Sequence, residues 1–444
     1  MHFFQKNEGG IVVFRLLSAP IYAQWEVTPQ CNYDCLHCYN HWKEERNEPD
    51  EQPNTQLYEK IVSEIITNQL FSITITGGEP LLVTKLILPY LKKLKKSGVR
   101  ISINSNASLL NKEIIFEFKK IGVDSFLISL PSADAQTNDY ITQRKNSLQL
   151  TTNGIRLALE YGLNVTVNMV VTTINKHQVI QTAKYVANLG VKNFSATKAT
   201  VPGNCHDFSE YALSLVDFRQ MLSDLVQVKN SLKLNTDSME FYPTCAFGDQ
   251  ETRELFGIKR SCSAAKTNCT IGFDGQIRPC SHAPQTYGNI NDGLQSAWIA
   301  MDEWRGDQWI PEECQNCRIK YRCGGGCKIE ALQVNKSLTA PDPNCDFSQL
   351  PIPPDETKEI SDTFSYSHFK FNHLLKIRQE PFGGILYVGP NNWVPADPKL
   401  IKFATDSKEV ISNVDELAKS MGISSLEAHR LSNYLLSGSI IQEA

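Results

Sequence analysis

No apolar run in the chain approaches the roughly 18 residues that a membrane-spanning helix needs, so no transmembrane segment is expected. The opening residues, MHFFQKNEGGIVVF, lack a basic stretch leading into a long apolar one, and no secretory signal is expected. An excess of one charge is also missing: 44 Lys and Arg stand against 48 Asp and Glu, a net of -4. So even a balance offers no electrostatic handle for nucleic acid or another polyanion. Internal repeats are absent as well. The expectation is a cytoplasmic, globular chain with no membrane and no nucleic-acid partner, and 444 residues suffice for roughly two to four domains.

Cysteine is missing from the long stretch between Cys38 and Cys205 and concentrated on either side of it, with most of the 13 between Cys245 and Cys345. A reducing compartment disfavours disulfides, which leaves metal or cluster ligation as the default reading of this distribution. The first group is Cys31-x3-Cys35-x2-Cys38, on a loop after the apolar run IYAQWEV (21–27). Three thiolates at this spacing suit three irons of a four-iron cluster and leave the fourth iron open to a substrate or cofactor. A structural zinc site, with His37 as fourth ligand, or a chance cluster are the competing readings. One strand–helix unit later comes Thr76-Gly77-Gly78-Glu79-Pro80. Its paired glycines permit close approach of a ligand to the backbone, although the same residues also make an ordinary turn.

From about residue 21 to 197, β-branched runs alternate with amphipathic stretches such as QLYEKIVSEIITN. The candidate strands are 21–27, 72–76, 100–104, 125–129, 164–171 and 193–197. This alternation implies an α/β class with parallel strands and right-handed crossovers. Six such units make a partial (β/α)6 TIM-type barrel, with functional groups at the C-terminal ends of the strands. A helix over 213–232 closes this region. The segment 241–350 is irregular and Cys-rich, as expected of a small core stapled by metal. Residues 350–362, LPIPPDETKEISD, read as a linker. The last segment starts with strand-like runs at 372–380 and 383–389 and continues with helices near 397–405, 414–420 and 424–436. That order predicts a small winged-helix-like α+β domain. The expected boundaries are 1–235, 236–350, a linker at 351–366, and 367–444.

Together, Cys31, Cys35, Cys38 and Gly77-Gly78-Glu79-Pro80 resemble the signature of the radical S-adenosylmethionine (SAM) superfamily, over about residues 20–200. The resemblance implies a [4Fe-4S] cluster on the three cysteines, with SAM chelating the open iron. It implies SAM contacts from Gly77, Gly78, Glu79 and Pro80. Asn104, Asn106, Ser129 and Arg144 are further SAM-contact candidates, with surface or capping roles as their other reading. One electron, from a donor such as flavodoxin or ferredoxin, would cleave SAM to a 5′-deoxyadenosyl radical. The cofactors carry that chemistry and the protein positions them.

Cys262, Cys269 and Cys280, then Cys314-x2-Cys317-x5-Cys323-x3-Cys327, then Cys345, resemble the SPASM extension of such enzymes. Carried over, auxiliary cluster I is held by Cys262, Cys269, Cys280 and Cys327, and auxiliary cluster II by Cys314, Cys317, Cys323 and Cys345. That makes three [4Fe-4S] clusters in all. A zinc ribbon over 314–327 is the alternative. Cys205 and Cys245 are left over and read as inert core thiols. Full cysteine ligation leaves no open iron, so electron transfer is the expected auxiliary role.

The run LKIRQEPFGGILYVG with the helices behind it resembles the PqqD-like elements of peptide-modifying enzymes. Such modules bind a leader peptide as an added strand. A DNA-binding winged helix is the competing reading. Residues 366–444 carry eight Lys/Arg and eight Asp/Glu, without the positive excess that phosphate binding uses. The expected function is oxidative remodelling, such as crosslinking, of a ribosomally synthesised precursor peptide. The alternatives are a sulfatase-maturing, formylglycine-forming oxidase and a non-catalytic metal-cluster regulator. In the sulfatase-maturing relatives an Asp follows the cysteine that corresponds to Cys280. Here Ser281 and His282 follow it, and His282 is a candidate replacement base or a plain surface histidine.

Overall fold

The computed structural model describes residues 16–40, 42–43, 55–201, 208, 210–257, 260–349, 368–390 and 392–444, plus the backbone of two short strands, Phe4–Lys6 and Val12–Phe14. The chain forms two compact units, Ala19–Pro351 and Ile352–Ala444, the latter taking in Met1–Ser18. The linker expected at 351–366 lies outside the described residues.

The first unit is built on β1 (Tyr22–Glu26), β2 (Ser72–Thr76), β3 (Arg100–Ser105), β4 (Ser125–Ser129), β5 (Val165–Val171) and β6 (Asn193–Lys198). These six pair in sequence order, every pair parallel. Their β-branched residues alternate inward, so that Ile73, Ile75, Ile101 and Ile103 are all buried. The helices between strands bury one stripe each. In α1 (Thr55–Thr67) the stripe is Leu57, Tyr58, Ile61, Val62 and Ile65. Helix α2 spans Thr84–Lys96. The ends of α3 (Lys112–Ile121) follow from its sequence: Asn111 Oδ1 accepts the Ile114 amide at 2.9 Å, and Gly122 closes it at φ 82°. Helices α4 (Ala135–Thr142), α5 (Ser147–Glu160), α6 (Val179–Asn188) and α7 (Leu215–Leu232) complete the set.

Three strands beyond these six extend the sheet. On one side β7 (Asn235–Asp237) pairs parallel with β6. On the other, β8 (Asn268–Ile271) pairs parallel with β1, and β9 (Ile277–Arg278) pairs antiparallel with β8. The Cys-rich segment is therefore not a separate layer at its start: it adds an edge to the sheet beside β1. A later helix, α8 (Lys328–Asn335), follows Cys327. No helix among the described residues is long and apolar enough to cross a membrane.

The second unit holds β10 (His368–Phe371), β11 (Lys376–Glu380), β12 (Gly383–Gly389), β13 (Asn392–Ala396), β14 (Ile411–Asn413) and β15 (Ile441–Glu443), with α9 (Pro398–Asp406), α10 (Val414–Met421) and α11 (Ser425–Ser437). The strands form two antiparallel sheets, β11-β12-β13 and β14-β10-β15. One apolar cluster joins them, including Phe369, Phe371, Leu386, Leu417 and Leu435. Capping boxes at Asn413/Glu416 and Ser424/Glu427 set the starts of α10 and α11. The buried Arg378 Nε donates to Glu380 Oε1 at 2.7 Å, and the other Glu380 oxygen accepts the Ser18 amide at 2.6 Å.

Candidate functional site

Parallel pairing puts the C-terminal ends of β1 to β6 on one edge of the sheet, and the loops leaving that edge carry the distinctive residues. Cys31, Cys35 and Cys38 follow β1, all partly exposed. The Tyr33 amide donates to Cys31 Sγ at 3.4 Å. Lys43 tightens the loop, donating to the Cys35 carbonyl at 2.9 Å and pairing with Asp34 at 2.8 Å. His37 is buried between the second and third cysteines. Burial and nearby Lys43 push its pKa down to about 4, so the imidazole stays neutral.

The Gly77–Pro80 turn leaves β2 and docks on the segment that leads into Cys31. The Gly78 amide donates to the Thr28 carbonyl at 2.7 Å, and the Glu79 amide to the Gln30 carbonyl at 2.8 Å. A Cβ on Gly78 would stand 2.0 Å from the Gln30 carbonyl oxygen, and one on Gly77 2.4 Å from that of Thr28. Here the glycines serve contact between two backbones of the chain itself. Asn40 joins the same junction, donating to the Gly77 carbonyl at 3.0 Å.

Glu79 is buried, and burial pushes its pKa up to about 7 against three hydrogen bonds that favour the carboxylate. Its Oε2 accepts the Asn106 amide at 2.8 Å, while Oε1 accepts the Leu81 amide at 3.0 Å and the Ser105 hydroxyl at 2.8 Å. The side chain thus braces the end of β2 against the end of β3. Asn106 reaches on to the cysteine loop, its Nδ2 donating to Asn32 Oδ1 at 2.9 Å. Of the other sequence candidates, Asn104 lies in β3 and Ser129 ends β4, both half-buried, and Arg144 is exposed beyond α4. Ser105, Asn32 and Asn40 carried no sequence signal, because short polar residues of this kind occur in any loop.

A buried ion pair ties this edge to the second cysteine field. Arg278, in β9, contacts Glu26 at the end of β1, and Trp42 Nε1 donates to the same Glu26 oxygen at 3.2 Å. The Arg278 guanidinium also donates to the carbonyls of Ser281 and Ala283, at 3.3 and 3.2 Å. The loop that carries Cys280 is held in this way. His282 meets the Tyr39 ring edge-on, centroids 4.7 Å apart, so the residues following Cys280 touch the residue following Cys38.

The later cysteines lie in two stretches of the chain, 262–280 and 314–345. Cys262 lies near enough to Cys280 and Cys327 to raise both thiol pKa values, on top of a larger effect of burial. Cys269 is fully buried in β8, where burial pushes its thiol up to about 12. In the second stretch Cys345 Sγ donates to the Gly325 carbonyl at 3.7 Å, and Cys245, Cys314 and Cys345 lie close enough to perturb one another's thiols. Cys317 and Cys323 are electrostatic neighbours of Cys314 and Cys245. Cys205 lies outside the described residues.

Three consecutive glycines shape this second stretch. Gly324, Gly325 and Gly326 all have positive φ, and Cβ atoms on the last two would strike Pro311 at 2.5 Å and Asp342 at 2.3 Å. Asp342 Oδ2 accepts the Cys327 amide at 2.8 Å. A buried chain of contacts continues from Asp342 Oδ1 to Asn344 Nδ2 (2.7 Å), Glu330 Oε2 (3.0 Å) and, across that carboxylate, Lys198 Nζ (2.6 Å), which ends β6.

Among the described residues, no three His, Cys, Asp or Glu side chains converge as a single-ion site requires. A four-iron cluster makes a different demand, since each thiolate meets its own iron and the sulfurs stand apart around the cube. The all-sulfur donor sets at Cys31/Cys35/Cys38 and around Cys345 fit such clusters in chemical type.

Residues 25–186 match the Radical SAM superfamily. The AdoMet-dependent heme synthase of Nitratidesulfovibrio vulgaris is 24% identical over 360 residues, covering 74% of this chain and 93% of that one. The PqqA peptide cyclase of Bradyrhizobium diazoefficiens is 21% identical over 343 residues, covering 74% and 87%. Among solved structures, SuiB of Streptococcus suis bound to S-adenosylmethionine superposes with a TM-score of 0.62 at 20% identity, covering 74% of this chain and 78% of that one. SuiB bound to its precursor peptide SuiA gives 0.61, again at 20% identity, covering 74% and 77%. The chain therefore carries a radical SAM domain within an α/β fold shared with SuiB, and it is an enzyme.

Proposed function

We propose that this radical SAM enzyme is a peptide maturase: it abstracts hydrogen from a residue of a ribosomally synthesised precursor and lets the radical form a crosslink or another oxidised product. The observation that carries the reading is the docking of the Gly77–Pro80 turn on the Cys31–Cys38 loop, with Glu79 locking both to the end of β3. That junction ties the turn and the segments flanking the three cysteines together through hydrogen bonds. A reduced four-iron cluster with SAM bound there supplies a one-electron cleavage to a 5′-deoxyadenosyl radical.

In this reading Cys31, Cys35 and Cys38 hold the cluster, and the Gly77–Pro80 turn, Asn104, Asn106, Ser129 and Arg144 are the candidates for orienting SAM. The groups Cys262/Cys269/Cys280/Cys327 and Cys314/Cys317/Cys323/Cys345 hold two auxiliary clusters, which accept or relay an electron. The architecture is then a partial barrel, a SPASM domain and a winged-helix-like, PqqD-like C-terminal domain. The antiparallel β11-β12-β13 sheet is an element of the kind to which a leader peptide can be added as a strand. A cytoplasmic setting with a flavodoxin or ferredoxin as donor completes the proposal. His282, against Tyr39, is the candidate for receiving a proton. The formylglycine-forming alternative is disfavoured because Ser281, not Asp, follows Cys280.

Co-expression with a short peptide encoded beside this gene, followed by mass spectrometry, tests the reading. Loss of two hydrogens from the peptide, absent with Cys31→Ala, supports crosslinking, and an unchanged mass with inverted stereochemistry supports epimerisation. A peptide recovered unmodified in both mass and stereochemistry contradicts the proposal.

A further inference from the structure

Asp342 joins the chain around Cys327 to the chain around Cys345. It is 1% exposed, and both of its carboxylate oxygens are taken. Oδ2 accepts the Cys327 amide at 2.8 Å, while Oδ1 accepts the Asn344 amide at 2.8 Å and Asn344 Nδ2 at 2.7 Å. Its backbone is committed as well. The Asp342 amide donates to the Gly325 carbonyl at 2.9 Å, and the Asp342 carbonyl accepts the Cys345 amide at 2.9 Å. Gly326, at φ 90°, lies so close that a Cβ there would stand 2.3 Å from Asp342 Cβ.

An ordinary Asp-led turn needs no partner from outside its own loop, yet this one is tied to the parallel sheet. Asn344 Nδ2 also donates to Glu330 Oε2 at 3.0 Å, and Glu330 Oε1 accepts Lys198 Nζ at 2.6 Å across 132 residues of chain. Both members of that ion pair are buried. Desolvation offsets most of the attraction in a buried pair, so stability alone is a weak reason for it. Position is the better one. Lys198 ends β6 and Glu330 lies in α8, so the pair fixes the Asp342 loop against the sheet.

The Cys327 amide is where this matters. A backbone N–H beside a ligating thiolate is a natural donor to sulfur, and hydrogen bonds to sulfur tune cluster potentials. They favour the more negative, reduced cluster and so raise its potential. Here that N–H is turned to Asp342 instead.

We propose that Asp342 is a positioning residue for the cluster that Cys327 ligates. Its carboxylate withholds the Cys327 amide from sulfur and keeps that cluster's reduction potential low, while Lys198, Glu330 and Asn344 hold the carboxylate in place. The inference rests on the reading that Cys327 belongs to an auxiliary cluster that relays electrons. A low potential suits such a centre, because it hands on readily the electron it receives.

The test is an EPR-monitored redox titration of the full-length, anaerobically reconstituted chain carrying Cys31→Ala, Cys35→Ala and Cys38→Ala, so that only the auxiliary clusters report. Iron and acid-labile sulfide are counted on the same samples. Asp342→Asn keeps the shape but leaves one oxygen for the three donors that two oxygens served. It is expected to retain about eight irons and to raise one cluster's potential, easing its reduction about tenfold. Glu330→Gln, which leaves Asp342 untouched, is expected to move the same cluster in the same direction by less. If Asp342→Asn does not fold, the Glu330→Gln shift decides. Unchanged potentials in either variant, a downward shift, or loss of about four irons overturns the inference and leaves the cluster reading standing. A parent chain that takes up no iron overturns that reading and the inference with it.

Discussion

Glu79 accepts the backbone amide of Asn106 at 2.8 Å, joining the turn after β2 to the end of β3. With the Leu81 amide and Ser105 hydroxyl on its other oxygen, Glu79 satisfies three donors in a buried position. Leaving a buried donor without a partner costs about 1–3 kcal/mol. Glu79→Ala is therefore expected to destabilise the chain by roughly 2–4 kcal/mol, measured by urea unfolding. A loss under about 0.5 kcal/mol, the size of an ordinary surface change, would show that the brace carries no weight.

The same residue predicts a pH effect. Burial holds the folded pKa of Glu79 at about 7, above the ordinary 4.5. Between those values the folded chain binds more protons than the unfolded one. The contribution of Glu79 to stability is then fully present below about pH 4.5 and is lost as pH rises through about 7. Glu79→Gln, neutral throughout, lacks this slope. Comparing urea midpoints at about pH 5 and about pH 8, wild type is expected to fall further than the variant, and equal falls would assign the slope to other groups.

Gly78→Ala places a methyl group 2.0 Å from the Gln30 carbonyl oxygen. Backbone cannot yield there as a flexible side chain would, so the turn and the cysteine loop must separate. Overpacking of this kind costs about 1–3 kcal/mol. The variant is expected to lose iron from the Cys31/Cys35/Cys38 site and to cleave SAM at least about tenfold more slowly, for each 1.4 kcal/mol that reaches the transition state. Wild-type iron content and cleavage in this variant would refute the docking role.

Arg278→Met strands the buried Glu26 carboxylate, which otherwise rests on Arg278 and Trp42. Removing one partner of a buried pair costs about 3–5 kcal/mol. A companion Glu26→Gln is expected to recover part of that loss, because it removes the stranded charge. Thermal melts of the two single variants and the double supply the coupling. Additive losses would mean that the two side chains do not act as a pair.

How much of this was legible follows from the kind of signal each part leaves. All six candidate strands fall within one residue of the observed β1–β6 at either end, because β-branched alternation and helical stripes are strong local patterns. β8 was missed: NCTI is four residues long, buried throughout, and pairs with a strand from the far end of the unit. In the last unit β12 was read in full, whereas β10, β14 and β15 are three or four residues each and leave too little pattern to find. Motif spacing exposed the Cys31–Cys38 loop and the Gly77–Pro80 turn. It could not expose Glu79's partners, the Glu26–Arg278 pair or the Lys198–Glu330 pair, which join ordinary residue types across long separations.

The central claim is that the Cys31/Cys35/Cys38 loop runs reductive SAM cleavage. Its most direct test is quantification of 5′-deoxyadenosine after anaerobic reconstitution, with SAM and dithionite supplied. Wild type is expected to produce 5′-deoxyadenosine and Cys31→Ala none above background. An iron-loaded wild type that yields none, or a Cys31→Ala chain that yields as much, would contradict the account.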